Sequence, residues 1–113
     1  MLPNAVDMTR DVLADLIAGN WSAVTTRFDD QMKEGLDADT LAGVWAQVLE
    51  HGGELESTES PEALQVDDVT VTDTLMHFEK EDFVARLAFR ADETIGGLYF
   101  LAPDAAAQLR AQQ

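Results

Sequence analysis

The amino-acid sequence predicts an α+β fold: three N-terminal helices packed on a curved antiparallel β-sheet of about four strands. Two observations carry that expectation. Before Gly52-Gly53 apolar residues recur at helical spacing between recognisable caps, and after it they alternate in short runs broken by acidic turns. A sheet with one apolar face must be covered, and the helices are the available cover.

Pro3 and Asn4 mark the first helix start, since proline tolerates the first turn and asparagine can cap it. Met8, Val12, Leu13, Leu16 and Ile17 then share one face, and Gly19 supplies the stop. Asn20 can cap a second helix carrying Trp21, Val24 and Phe28. Residues 29–35 read as an irregular link anchored by Met32. Asp37 or Asp39 caps the third helix, whose stripe of Leu41, Val44, Trp45, Val48 and Leu49 matches helical spacing without a gap. His51 suits its C-terminal dipole, and Gly52-Gly53 ends it.

Strands follow. Glu54 to Ser60 alternates weakly and stops at Pro61, as an edge strand would. Val66 to Phe78 is long for one strand, so a bend or bulge is expected near Asp73-Thr74. A charged turn at residues 79–82 leads to Phe83–Arg90, with Phe83, Ala85, Leu87 and Phe89 on one face and Val84, Arg86, Ala88 and Arg90 on the other. The last strand, Ile95 to Leu101, ends before Pro103. The chain reads as one domain over 1–113, with a core from 4 to 103 and a helical or frayed tail over 104–113.

The run Asn20-Trp21-Ser22-Ala23-Val24, then Phe28 to Lys33, then Leu41 to Trp45 with Gly52-Gly53, is one half of a family likeness. The stretch Phe89 to Phe100 with Pro103 is the other. Together they resemble the domain-of-unknown-function family 3887, within the nuclear-transport-factor-2-like, or cystatin-like, α+β cones, over roughly residues 8 to 103. The resemblance implies a cone-shaped fold. Members of the family stand alone or precede a serine α/β-hydrolase, and no hydrolase follows here. The wider superfamily includes isomerases and cyclases that use an acid or a tyrosine in the cone, and none of their motifs is matched residue by residue.

Composition excludes several functions. Twenty-two acidic residues face seven basic ones, a net charge of -15, which would repel nucleic acid and anionic membranes. The charge reads as a solubility device or adaptation to a salty cytoplasm, and its sharper reading is a docking face for a basic protein partner. The chain has no cysteine, so disulfides and thiolate metal sites are ruled out. No signal-peptide pattern and no apolar stretch of membrane-spanning length is present, so a soluble, cytoplasmic chain is expected.

Three residues are candidates for ligand contact. His77 titrates near neutrality and would serve as a general base if it faced the cone, whereas on an outer or edge face it would be a surface histidine. Tyr99 could hold an oxyanion in an apolar cone. Alternation with Leu98 and Phe100 instead puts it on the outer face, at a dimer contact. Trp45 could line a pocket, and helix-stripe tryptophans are more often core. No calcium loop, nucleophile elbow or metal ligand set is spelled out, so neither cofactor nor metal is expected. The expected function is a non-catalytic module that forms a homodimer or binds a partner or small apolar ligand, with Thr70, Thr72, Arg86 and Arg90 giving the outer sheet face a polar character. The alternative is an isomerase-like enzyme using the cone. A core filled by Phe28, Trp45, Leu87 and Phe89 would exclude that alternative.

Overall fold

The computed structural model describes residues 2–111. The chain runs α1 (Ala5–Ala18), α2 (Trp21–Thr25), α3 (Asp30–Gly35), α4 (Ala38–Gly52), β1 (Leu55–Thr58), β2 (Glu62–Val66), β3 (Val69–Phe78), β4 (Asp82–Phe89), β5 (Ile95–Leu101) and α5 (Pro103–Ala111). The α+β class follows from the sequence as expected. The described residues nevertheless hold five helices and five strands, not three and about four, and each addition has a physical cause.

Helix α1 buries Ala5, Thr9, Val12, Leu13 and Leu16 and closes on Gly19 with φ 81°, where a side chain would be strained. Ile17 falls off that face and is exposed. Asn4 makes no side-chain cap; its amide instead donates to Glu93 at 2.7 Å. Asn20 likewise precedes α2 without a side-chain cap bond. Helix α3 replaces the expected irregular link because Asp29 accepts from the Met32 N–H at 2.8 Å and nucleates the turn. Met32 is only half-buried, against the core. Asp37 caps α4 in the same way through Thr40. The α4 stripe buries Leu41, Trp45, Val48 and Gly52, while Leu49 turns out to solvent.

The five strands form one antiparallel sheet in the order β1-β3-β4-β5, with β2 also paired to β3. The expected single strand from Val66 to Phe78 is in fact the end of β2, a tight turn at Asp67-Asp68, and β3. Asp67 adopts φ 53°, a left-handed conformation that aspartate tolerates better than most residues. Strand β3 itself has no bulge against β4. The irregularity expected at Asp73-Thr74 lies across from it. Strand β2 begins with Glu62 opposite Asp73, and β1 ends with Thr58 opposite Met76, so residues 59–61 span only two positions of β3. Register also shifts at Ala88/Phe89 between β4 and β5.

Phe28, Leu87, Phe89, Ile95, Met76, Trp45 and Phe78 form the core between helices and sheet. Trp45 packs tilted against Phe78 and Phe100, with centroids 6.0 and 5.8 Å away. The tail over 103–111 is helical and lies on the opposite face of β4, where the Ala106 carbonyl accepts from Arg86 at 3.1 Å. The sheet is therefore covered on both faces at β4.

Helix α4 packs tightly on the sheet at Gly52, where an added Cβ would lie 2.9 Å from Phe78 Cβ. Gly52→Ala should destabilise the fold by about 1–3 kcal/mol through overpacking, despite alanine's better helix propensity. A lower urea midpoint with an unchanged m-value would verify this.

Candidate functional site

Alternation along β3 and β4 decides which side chains meet. Thr70, Thr72, Thr74, Met76 and Phe78 point to the helices, opposite Phe89, Leu87, Ala85 and Phe83 across the ladder. Val71, Asp73, Leu75 and His77 point the other way, opposite Ala88, Arg86, Val84 and Asp82. Thr70 and Thr72 thus do not lie on the outer face. Both are buried under the N-terminal segment and α1. The Leu2 N–H donates to the Thr70 hydroxyl at 3.0 Å, and the Thr9 and Thr72 hydroxyls share a bond of 2.7 Å. Arg90 also leaves that face: it lies past the end of β4 and its Nε donates to Asp29 at 2.7 Å. The Asp29 carboxyl sits below the usual carboxylate range, first because of the Met32 N–H and then because of Arg90.

The three candidates are not brought together. Trp45 is buried on the helical side. His77 and Tyr99 are on the outer face, as alternation indicated for Tyr99, which is 53% exposed. His77 pairs with Asp82 and Tyr99 with Arg86, four residues apart on β4. That separates them by about 13 Å along the strand.

His77 Nε2 faces Glu59 at 2.7 Å and Nδ1 faces Asp82 at 3.1 Å. The Glu59 hydrogen bond, then that of Asp82, raises its pKa above the ordinary value. An imidazole with both nitrogens engaged by carboxylates is poorly placed to abstract a proton. It joins the end of β1 to the β3–β4 turn.

The strongest polar constellation on this face is one that sequence reasoning missed. Arg86 Nε and Nη2 donate to the two carboxylate oxygens of Asp73 at 2.7 and 2.8 Å, and the pair is buried beneath α5. Asp73 holds Arg86 firmly charged, the hydrogen bonds outweighing burial. A hairpin symmetric about residues 79–82 would set Asp73 opposite Ala88, on the face of Arg86 but two residues from it; the observed ladder already pairs Asp82 with His77. Among the described residues no group of three or more His, Cys, Asp or Glu is placed to hold a metal, and no helix is long and apolar enough to cross a membrane.

Several grooves lie at the rims of the fold. One groove of about 380 Å³ runs between α4 and β5 and is lined by Val44, Val48, Phe83, Leu98 and Tyr99. A second, of about 320 Å³, lies between α1 and the β1–β2 connection. The interior itself is filled: Phe28, Leu87 and Phe89 are at most 1% exposed and Trp45 only 6%.

Residues 10–98 match the model of a family described as "Protein of unknown function (DUF3887)". Comparison with curated proteins and with solved structures returns no match.

Two outcomes follow from the outer face. Asp73→Ala should cost about 3–5 kcal/mol in denaturant unfolding, because it takes the carboxylate from the buried Arg86, and Arg86→Ala should also destabilise by removing both hydrogen bonds to Asp73. The double replacement Asp73→Leu/Arg86→Met should cost far less than their sum. For His77 the folded pKa exceeds the reference value of about 6.5, so its stabilisation is complete below that pH and is lost as pH rises through the raised value. The urea midpoint should fall across that window in the wild type, and His77→Gln should flatten this part of the profile.

Proposed function

The chain belongs to the DUF3887 family, proteins of unknown function, and from that premise we propose that it is a non-catalytic module that pairs with a second copy of itself along β5. We read the fold as one nuclear-transport-factor-2-like domain, with helices on the inner face of a curved sheet.

One observation carries the association reading. The α4–β5 groove is lined by Val44, Gln47, Val48 and His51 of α4, Phe83 of β4 and Leu98 to Leu101 of β5, with no Asp, Glu, Lys or Arg among them. The chain as a whole has a net charge of -15. Two such chains repel wherever their carboxylates face each other, so contact is least opposed where charge is missing. Strand β5 is the strand without a charged residue and lies at one end of the sheet. Its N-terminal end is closed off by the bridge from Phe28 to Ile95, and the stretch around Tyr99 is not paired on its outer side. An apolar sheet edge without lysine or proline invites a partner strand. Leu98, Tyr99 and Phe100 beside Val44 and Val48 offer it an apolar seat.

The filled interior argues against the isomerase-like alternative, which needs a cavity with convergent polar groups. Trp45 on one face and His77 and Tyr99 on the other supply none.

Light scattering should give a two-chain mass at high micromolar concentration. The dimer fraction should rise with salt as like-charge repulsion is screened. Tyr99→Lys, at an exposed position, should restore the one-chain mass without loss of folding. A one-chain mass for the wild type throughout that range, or a dimer indifferent to Tyr99→Lys, would rule the reading out.

A further inference from the structure

The backbone of β5 has one open side, and the bonds made by β4 decide which residues face it. Phe78 N–H donates to the Glu81 carbonyl at 3.2 Å and closes the β3–β4 hairpin. Counting in twos from that bond, Phe83, Ala85, Leu87 and Phe89 bond β3, so Val84, Arg86 and Ala88 bond β5. The turn beyond agrees. Arg90 N–H donates to the Thr94 carbonyl at 2.8 Å, and the Arg90 carbonyl accepts from Glu93 at 2.9 Å. Leu101, Tyr99 and Gly97 are the β5 partners of Val84, Arg86 and Ala88. Leu98 and Phe100 therefore turn their N–H and C=O groups to the open edge, where no described residue bonds them.

That open stretch is bounded at both ends. Ile95 is already engaged: its N–H donates to the Arg27 carbonyl at 2.8 Å, and its carbonyl accepts from Asp29 at 3.0 Å. Pro103 has no N–H and starts α5, which crosses to the outer face of β4, away from the edge. Residues 96–102 lie between these stops, and Tyr99 is their midpoint. None of them is charged. Tyr99 itself lies on the outer face with its ring over Gly97, where an added Cβ would be 2.9 Å from the ring.

Given self-association along β5, on which this assignment rests, we propose that two copies pair antiparallel about a two-fold axis at Tyr99, Leu98 of each opposite Phe100 of the other. Each Leu98 exchanges both backbone bonds with the facing Phe100. The two Tyr99 residues form the non-hydrogen-bonded pair on the axis, with Cα atoms about 4.5 Å apart. Residues opposite each other share a face, so Leu98 and Phe100 of both copies continue one apolar floor between the two α4 helices. Neighbouring registers are opposed by groups already in place. An axis at Leu98 would drive Leu101 against the partner's Ile95, where residues 27–29 already run. An axis at Phe100 would call on the Ala102 carbonyl, which already accepts from Ala106 N–H at 3.0 Å.

The chain has no cysteine, so single cysteines read the register directly. Tyr99→Cys adds no charge to the edge, unlike Tyr99→Lys. Its oxidation with diamide should give a covalent two-chain species about tenfold faster than that of Ile17→Cys, an exposed site on α1 that crosslinks only by collision. Leu101→Cys should crosslink no faster than Ile17→Cys, because the two copies of residue 101 would stand about 14 Å apart. In the wild type, amide exchange at Leu98 and Phe100 should slow about tenfold as light scattering moves from one chain to two. The Tyr99 amide, already bonded to β4, should change little. A two-chain mass with the Leu98 and Phe100 amides still exchanging freely, or with Leu101→Cys crosslinking faster than Tyr99→Cys, overturns this register and leaves self-association standing. A one-chain mass at every concentration overturns both.

Discussion

The pairing register of β3 with β4 is the constraint on which the remaining packing depends. It sets Thr72 opposite Leu87 and Thr70 opposite Phe89 on the helical side, and Asp73 opposite Arg86 on the other. A slip by one residue would exchange the faces of the moving strand. Depending on which strand moved, Asp73 or Arg86 would then be driven toward the helices while large apolar side chains were turned outward. Few other registers satisfy both faces. The charged turn after Phe78 and the buried Asp73–Arg86 pair enforce the same alignment from different positions along the hairpin.

Strand β3 also organises what lies beside it. It is the shared partner of β1, β2 and β4, and its helical face receives the N-terminal segment at Thr70 and α1 at Thr72. The aromatic cluster of Trp45, Phe78, Phe83 and Phe100 seats α4 at the far end of the same strand. Those rings and Phe28, Leu87 and Phe89 pack the core, and several grooves lie at the rims of the fold. One rim is apolar and uncharged along an open strand edge. Another, beside α1, combines an apolar wall with Arg10 and Glu59.

Several features were legible in the sequence because their cause is local. Gly19 ends α1 and Asp37 opens α4 through bonds that span only a few residues. Helical spacing buried Trp45, and strict alternation put Tyr99 outside. A register argument from a turn at residues 79–82 puts Asp73 and Arg86 on one face but misses their pairing by two residues, because Asp82 belongs to β4. The short helix α3 was harder to see. One aspartate side chain bonding Met32 turns a polar stretch into a helix, and polar stretches of that kind also form loops.

The sequence by itself determined the class, the order of helices before strands, the long helices and the central hairpin meander, because periodicity and capping act over a few residues. Tertiary structure alone decided the rest. Threonine and valine are nearly isosteric, so a Val/Thr-rich strand such as β3 does not announce which face is apolar. The pairing with β4 set Thr70 and Thr72 inward, opposite Phe89 and Leu87, where Leu2 and Thr9 meet their hydroxyls. The separate identity of β2 depended on a long-range choice too: β3 can pair with β1 or β2 at a given position, and it exchanges one for the other at residues 59–61. That exchange, a contest between distant segments for the same backbone donors and acceptors, opens the groove beside Thr74.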